Sequence, residues 1–257
     1  MEKLQVEYRY EGQVVQLTLN DGKGNVLDST MMRELHQVLD EFKAQEALKA
    51  IVLCGSGKHF SFGASVEEHR KDQAPAMLSA FHSLIFKLAG MHIPLLSLVS
   101  GQCLGGGLEV VLMSNVIYAD TTARLGQPEI NLGVFPPPAS LLLPLKLGFA
   151  RAEEVLLTGR TLTAEKAREL GLVNQVFDSP DAMKAAADEW LEKYILPKSA
   201  SSLRFVVQAF RMPLKQQLEQ YLPKLETLYL QQLMATHDAN EGIASFLEKR
   251  KPEWVNG

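Results

Sequence analysis

The sequence contains little cysteine and little excess charge, and both absences narrow the classes of protein to which it can belong. Only Cys54 and Cys103 occur among 257 residues, each in an apolar, strand-like setting. This usage does not support a disulfide framework, so we expect two core thiols in a reducing compartment. The net charge is −4, and no basic cluster is larger than residues 249–251. We therefore expect no nucleic-acid partner.

Long apolar runs and targeting signals are also missing. The apolar stretch at residues 93–99 is only as long as a strand, whereas a membrane helix needs roughly 18 apolar residues. The first residues, MEKLQVEYRYEGQVV, show neither the apolar centre of a signal peptide nor the composition of a transit peptide. A cytoplasmic protein with no membrane partner is the expectation.

Several common catalytic motifs are incomplete. The six histidines are not paired at the short spacing of a local metal site, so we expect no metal. The segment before Phe60 contains Gly57-Lys58, but it lacks the earlier glycine of a phosphate-binding loop, and His59 stands where Ser or Thr is required. No Gly-x-Ser-x-Gly elbow of a serine hydrolase occurs. Acid–base chemistry remains.

The pattern of apolar residues changes along the chain. Alternation at residues 5–10 and 14–20 predicts a strand hairpin, and a capped helix and a buried strand at 50–54 follow. Beyond residue 179 the spacing predicts only helices, at 181–194, 199–211, 214–235 and 240–249. We therefore predict an α/β fold, with a core at residues 1–195 and a helical region at 196–257 that serves oligomerisation.

The most informative stretch is residues 101–135, GQCLGGGLEVVLMSNVIYADTTARLGQPEINLGVF. Three successive glycines are unfavourable inside a helix, because each destabilises it by about 1 kcal/mol relative to alanine. They favour a close approach of the backbone to a ligand at the point where the helix 108–113 begins. Glu109 lies in the first turn of that helix, and Glu129 follows 129 − 109 = 20 residues later. Paired glutamates in apolar surroundings suit proton transfer, because one can stay neutral while the other ionises. Considered alone, Glu109 is equally well explained as an acidic residue at a helix start, and Glu129 as an ordinary loop residue.

The motifs GGGLE and GQPEINLG resemble the signature of the crotonase superfamily, the enoyl-CoA hydratases and isomerases, and the resemblance extends over nearly the whole chain. It implies a spiral of strand–strand–helix units and an acyl-CoA thioester substrate. It also implies that no cofactor is needed, since CoA is part of the substrate. Relatives are commonly homotrimers or dimers of trimers.

The same resemblance assigns roles to individual residues. The segment from Lys58 to Ala64 is similar to the family's Lys-x-Phe-x-x-Gly-Ala, which implies that the N–H groups of Ala64 and Gly106 form an oxyanion hole. It implies that Glu129 donates the proton and that Glu109 orients or activates water; which glutamate does which stays open on the residues alone. Retention of both favours a hydratase over an isomerase.

For CoA itself, the resemblance implies binding by Lys58, Phe246 and Lys249. Without it, the last helix would be read as an amphipathic helix with a solvated basic end.

The chain departs from the family pattern at two places near the site. Ser65-Val66-Glu67 replaces a segment that ends in lysine, so one basic contact to CoA is missing. Three prolines, Pro136 to Pro138, replace a glycine-rich loop; they predict either a rigid helix entry or a pocket wall shaped for a ring. This loop and the KGNVLDSTMM segment resemble the branch that hydrates alicyclic dienoyl-CoA esters. An ordinary short-chain enoyl-CoA hydratase, an isomerase and a non-catalytic acyl-CoA-binding subunit are the alternatives.

Overall fold

The fold is a stack of chain turns, each of which adds a strand to a large sheet. The computed structural model describes all 257 residues. The strands are β1 (Leu4–Arg9), β2 (Val14–Leu19), β3 (Ala50–Gly55), β4 (Leu95–Val99), β5 (Gln102–Leu104), β6 (Val116–Asp120), β7 (Arg124–Gly126), β8 (Thr161–Thr163) and β9 (Gln175–Phe177). The helices are α1 (Ser29–Lys43), α2 (Ala74–Ala89), α3 (Gly106–Leu112), α4 (Pro137–Leu147), α5 (Phe149–Thr158), α6 (Ala164–Glu169), α7 (Pro180–Trp190), α8 (Ala200–Thr227) and α9 (His237–Leu247).

The large sheet has six strands in the order β1-β2-β3-β4-β6-β9. Its first pair is the antiparallel hairpin that the alternating pattern predicts, and every later pair is parallel. Strands β3 and β4 are buried almost throughout, which explains why they read as continuous apolar runs. Parallel neighbours need a crossover, and the helices α1 and α2 supply two of them.

A second, smaller sheet joins the turns along another side. Strand β5 pairs with β7 in parallel, and β7 pairs with β8 antiparallel. The earlier turns of the chain form no strand in this sheet. They are joined to it and to each other by two isolated backbone bridges, Leu27 to Ala64 and Ser61 to Cys103. The expected spiral of strand–strand–helix units is confirmed, and its smaller sheet places backbone from successive turns side by side.

Helix caps follow the sequence signals closely. The Asp28 carboxylate accepts a hydrogen bond from Met31 N–H at 3.0 Å, and this cap starts α1. The Thr163 hydroxyl accepts from Lys166 N–H at 3.2 Å and starts α6. The predicted cap of α1 is therefore confirmed, and α6 is capped in the same way.

The C-terminal helices differ from the prediction. Residues 199–211 and 214–235 were expected to form two helices, but α8 is one helix of 28 residues that contains both Pro213 and Pro223. The prediction of a break was wrong because packing outweighs the cost of the prolines. Buried Leu218 and Leu222 hold the proline-containing half of α8 in the main core.

The helical C-terminal region shares the hydrophobic core of the sheets. Tyr229, Met234 and Ile243 belong to the same cluster as residues of β2 and β3. The division into 1–195 and 196–257 stays a prediction. Both cysteines are free and buried. No helix combines the length and the apolar character required to cross a bilayer.

One buried arginine ties three helices together. Arg211 of α8 is 4% exposed and donates to the carbonyl oxygens of Leu88 and Met91 at the end of α2 and of Met113 at the end of α3. A cation suits these positions, because helix carboxyl ends carry partial negative charge. Burial lowers the pKa of Arg211 to about 10, and no carboxylate pairs with it. Arg211 therefore fixes the end of the helix that carries Glu109.

We expect Arg211→Met to lower the free energy of unfolding by about 3 kcal/mol, because three buried carbonyl groups lose a charged donor. The corresponding fall in Tm is roughly 6–12 °C by differential scanning calorimetry. Lys215→Met on the exposed side of the same helix is the control, with an expected change within about 0.5 kcal/mol. An unchanged Tm for Arg211→Met would show that these bonds contribute nothing to stability.

Candidate active site

Two backbone N–H groups meet where the smaller sheet joins consecutive turns. A methyl group added to Gly106 would lie 3.2 Å from the Ala64 nitrogen, so the two amides are close neighbours. Gly106 is the first residue of α3, and its N–H has no acceptor within the helix. Ala64 N–H donates no hydrogen bond within the chain. The pair is therefore free to bind an oxygen atom.

Glycine is required on both sides of this amide pair. Gly63 has a φ of +99°, and its carbonyl accepts from Leu27 N–H at 2.9 Å, which anchors the loop before Ala64. Gly105 has a φ of +50°, and a side chain there would lie 2.5 Å from a carboxylate oxygen of Glu129. Both positions are unfavourable for any other residue.

Glu109 extends from the first turn of α3 toward the beginning of α4. It is 4% exposed, and its Oε1 accepts a hydrogen bond from Ala139 N–H at 2.7 Å. Since Pro136 to Pro138 have no N–H, Ala139 supplies the first free amide of α4. The proline run thus directs the amino end of a helix at one carboxylate, an arrangement that favours its charged form.

Glu129 lies in the short 3₁₀ helix Pro128–Leu132, with its carboxylate close to Gly105, the residue before Gly106. Its carboxylate faces the buried amide of Gln127. In one orientation the Gln127 nitrogen donates to Gly105 O at 3.3 Å, and its oxygen then suits a protonated Glu129. In the reversed orientation the nitrogen donates to both Glu129 oxygens, at 3.0 and 3.1 Å, as an ionised carboxylate requires. Gln127 can therefore accommodate either protonation state.

The two glutamates perturb each other. Burial raises the pKa of Glu109 well above its usual range, the negative charge of Glu129 raises it further, and the bond from Ala139 opposes both effects. Burial likewise raises the pKa of Glu129, to about 8. Glu129 is partly accessible only because it faces the cavity. The pair therefore holds at least one proton near neutral pH, since two adjacent buried charges repel.

A cavity of about 810 Å³ contains both carboxyl groups and the amide pair. Its wall is largely apolar and comes from α2, from the loop before α4, from Tyr229 and from α9. Among the residues that line it are Val26, Ala64, His69, Phe81, Gly106, Glu109, Glu129, Phe135, Pro136, Pro137, Tyr229, Phe246 and Arg250. Pro136 and Pro137 lie at the start of α4 and also line the cavity. That this wall is shaped for a ring stays a prediction.

Of the three residues expected to contact CoA, only Phe246 lines this cavity. Lys58 is exposed on the loop after β3, and Lys249 lies just beyond α9, so their roles stay predictions. Arg250 lines the cavity in place of Lys249 and pairs with Glu241 and Glu248. Glu67, which stands where relatives have a basic residue, lies at the cavity and pairs with Arg70 at 2.8 Å.

The sequence interpretation missed two polar residues of the site. Gln127 was visible in the GQPE motif but received no role, because nothing in the sequence shows that its amide faces Glu129. Tyr229 lies in a segment that the sequence predicts only as a helix, yet its ring lines the cavity. His69 also lines the cavity, whereas the buried His82 pairs with Glu226 at 2.6 Å.

The sequence also predicts that the protein binds no metal ion. No three His, Cys, Asp or Glu side chains lie close enough together to hold a metal ion. That no cofactor takes part stays a prediction.

The raised pKa of Glu129 predicts a pH-dependent stability difference. Between its ordinary value of 4.5 and about 8, the folded chain keeps a proton that the unfolded chain has lost. Stability therefore falls as pH rises through this window. Glu129→Gln removes this fall in stability, because glutamine does not titrate. It also removes the negative charge that raises the pKa of Glu109. We expect its Tm to match wild type near pH 4.5 and to exceed it by roughly 3–6 °C near pH 8 in thermal melts.

The control for these melts is Glu153→Gln, an exposed change on α5, for which we expect no difference at either pH. A Glu129→Gln variant whose Tm advantage shrinks as pH rises would contradict the assigned direction of the pKa shift.

Comparison with known proteins agrees with this geometry. The model of the enoyl-CoA hydratase/isomerase family matches residues 9–257. The chain is 43% identical over 253 residues to a cyclohexa-1,5-dienecarbonyl-CoA hydratase of Thauera aromatica, covering 98% of this chain and 97% of that protein. It is 36% identical over 250 residues to a probable enoyl-CoA hydratase of Rhizobium meliloti, covering 95% of each.

Solved structures show the same fold. An enoyl-CoA hydratase from Mycobacterium avium subsp. paratuberculosis superposes with a TM-score of 0.86 at 23% identity, covering 99% of both chains. An enoyl-CoA hydratase/isomerase from Pseudoalteromonas atlantica gives a TM-score of 0.84 at 26% identity, covering 98% of this chain and all of that one. The chain is a hydro-lyase with the crotonase fold, and it belongs to the enoyl-CoA hydratase/isomerase family.

Proposed function

We propose that this hydratase adds water to cyclohexa-1,5-diene-1-carbonyl-CoA and forms 6-hydroxycyclohex-1-ene-1-carbonyl-CoA. The observation that carries the proposal is the meeting of two raised-pKa carboxyl groups and two free amides in one largely apolar cavity. The similarity to a hydratase of that name, at 43% identity over nearly the full length, supports the choice of ring substrate. The reaction would serve the anaerobic breakdown of aromatic rings.

The amide pair polarises the thioester. Addition of water to a conjugated thioester builds negative charge on the carbonyl oxygen, and Ala64 N–H and Gly106 N–H receive it. Each such donor lowers a barrier of this kind by about 3 kcal/mol. The amides are fixed by the smaller sheet and by α3 before substrate arrives, so they need little rearrangement during the reaction.

The glutamates divide the proton transfers. The bond from Ala139 N–H offsets part of the burial and repulsion that favour a neutral Glu109. When the shared proton is on Glu129, the ionised Glu109 takes a proton from water as the oxygen attacks the β-carbon of the thioester. Glu129, protonated beside Gln127, gives its proton to the carbon at the far end of the diene. One water is added and the double bond moves between the two reacting carbons. A proton then passes from Glu109 to Glu129 to restore the starting state.

The cavity wall favours a ring as the acyl group. Phe81, Phe135 and the prolines Pro136 and Pro137 provide apolar surface beside the glutamates. Proline rings cannot rotate away as longer side chains do, so this wall has a fixed shape. A flat, rigid ring loses less freedom on binding than a flexible chain and suits such a wall.

Contacts with CoA are proposed at the cavity mouth. Phe246, 55% exposed on α9, offers a face for the adenine, and Lys58 and Lys249 supply ammonium groups for the phosphates. Arg250 adds a third cation at this edge.

Activity measurements test the reaction. We expect the cyclic dienoyl-CoA to be hydrated with at least a tenfold higher kcat/KM than crotonyl-CoA, with a mass gain of one water seen by mass spectrometry. Glu109→Gln and Glu129→Gln should each lower kcat by about 10²–10⁴-fold, because each removes one proton transfer. Glu153→Gln is the matched control and should keep full activity.

Three outcomes would overturn parts of this proposal. A preference for crotonyl-CoA would identify an ordinary enoyl-CoA hydratase. Products without a mass gain would identify an isomerase. CoA-ester binding with no turnover would identify a binding subunit.

We also propose a homotrimer or a dimer of trimers in the cytoplasm. Large apolar side chains on one helix remain uncovered in the single chain: Phe205, Val206, Phe210 and Met212 of α8 are all more than half exposed. Uncovered surface of this kind favours association with further copies. Two free cysteines agree with a reducing compartment.

The oligomer is tested by sedimentation velocity. Phe205→Lys places a charge on the uncovered face of α8, so we expect the assembly to dissociate toward the 28.5 kDa monomer. Gln37→Lys, an exposed change on α1, is the control and should leave the assembly intact. A wild-type chain that sediments as a monomer would rule the proposed trimer out.

A further inference from the structure

Tyr229 is a buried polar residue to which the reaction described above gives no role. It is 1% exposed, and its hydroxyl has no hydrogen-bond partner anywhere in the chain. A buried hydroxyl without a partner costs free energy, so a residue of this kind calls for an explanation. Phenylalanine would fill the same space without that cost.

The backbone around Tyr229 is unusual as well. The residue lies in the π-helical turn Leu228–Gln232, directly after α8. Such a turn inserts an extra residue into a helix and changes the direction of the side chains that follow, and it is frequent at functional sites. Here the ring lies edge-on to Phe135, with centroids 5.5 Å apart, and it lines the cavity. The Tyr229 ring therefore lies against the cavity and not at the protein surface.

The phenol is close to both carboxyl groups. Burial raises its pKa above the usual range, and the negative charges of Glu129 and Glu109 raise it further. The hydroxyl therefore stays protonated under all conditions in which the enzyme works, and it can serve as a hydrogen-bond donor but not as a general base.

An added water molecule needs such a donor. In the attacking geometry its two protons face carboxyl oxygens, and one lone pair is directed at carbon. The second lone pair accepts a hydrogen bond only from a donor; the ionised Glu109 is not a donor, and the proton of Glu129 is directed at carbon in the proposed step. Of the side chains close to both glutamates, Tyr229 has an unused O–H group.

We infer that the Tyr229 hydroxyl donates a hydrogen bond to the oxygen atom that the enzyme adds, first as water and then as the β-hydroxyl of the product. The inference rests on the proposed hydration. It makes Tyr229 a third polar group of the reaction centre, selective for acyl-CoA esters that carry oxygen at the β-carbon.

Binding to two matched esters tests this role without turnover. The esters are 3-hydroxy-2,2-dimethylbutyryl-CoA, which has no α-hydrogen and cannot be dehydrated, and 2,2-dimethylbutyryl-CoA, which lacks only the hydroxyl. By calorimetry, Tyr229→Phe should weaken binding of the hydroxy ester about tenfold, or 1.4 kcal/mol, and leave the other unchanged. Its kcat for hydration should fall with little change in KM, since the unsaturated substrate has no hydroxyl.

Stability separates this role from a structural one. The lost hydroxyl has no partner, so the Tm of Tyr229→Phe should equal or exceed that of wild type. The control is Tyr118→Phe, a buried tyrosine of β6 that packs on Phe177 away from the cavity. It should leave the ratio of the two affinities at the wild-type value.

Two results would overturn the inference. One is an equal loss of affinity for both esters, and the other is no loss for either. Either result, with a wild-type enzyme that hydrates the cyclic dienoyl-CoA, refutes the role of Tyr229 alone. A wild-type enzyme that hydrates no enoyl ester refutes the proposed function, whatever the two esters show.

Discussion

Two carboxyl groups share one poorly hydrated cavity, and the remaining features of the site follow from the repulsion between their charges. Neither glutamate has a cationic partner, so the pair lowers its energy by keeping a proton. Hydration requires such a pair, with one carboxylate to accept a proton from water and one carboxylic acid to return a proton to carbon. The neighbours of the two carboxyl groups differ: a backbone amide donates to Glu109, and the side-chain amide of Gln127 can donate to both oxygens of Glu129 when that group is ionised.

The second requirement of the proposed reaction is a pair of amides that can donate to one oxygen, and backbone pairing between turns of the spiral brings two amides together. Leu27 bridges to Ala64 and Ser61 bridges to Cys103, and these pairs fix the loop that precedes Ala64 against the start of α3. Because main chain supplies the donors, the side chains around them are free to vary. This freedom explains how Ser65 and Glu67 replace the usual residues without disturbing the amide pair, while Glu67 is neutralised by Arg70.

How much of this could be predicted depended on whether the signal was local. The glycine run, the two glutamates and the first helix caps are local patterns, and the structure confirms the elements that they predict. The strands β5, β7 and β8 have three residues each; β5 was indicated only by the strand-like setting of Cys103, and β7 and β8 were missed, because so short a segment is defined by its partners and not by its own composition. The helix break expected between residues 211 and 214 failed for a related reason, since burial of Leu218 and Leu222 depends on distant elements. The place of Tyr229 at the site depends on neighbours far away in sequence, and that of Gln127 depends on the direction of its side chain, which the sequence does not show.

The site carries energetic costs that the rest of the fold has to offset. Two carboxyl groups are buried without cations, and one phenol hydroxyl has no partner. The compensation lies close by. Arg211 fixes the end of α3 by donating to its last carbonyl, and the proline run reduces the freedom of the unfolded chain at the start of α4. Arg211 acts on α3, the helix that carries Glu109, and the proline run acts on α4, the helix whose first amide donates to Glu109. Rigidity is therefore concentrated where repulsion would otherwise push the carboxylates apart, and the C-terminal helices contribute to it directly, because they supply Arg211 to the end of α3 and Tyr229 to the cavity wall.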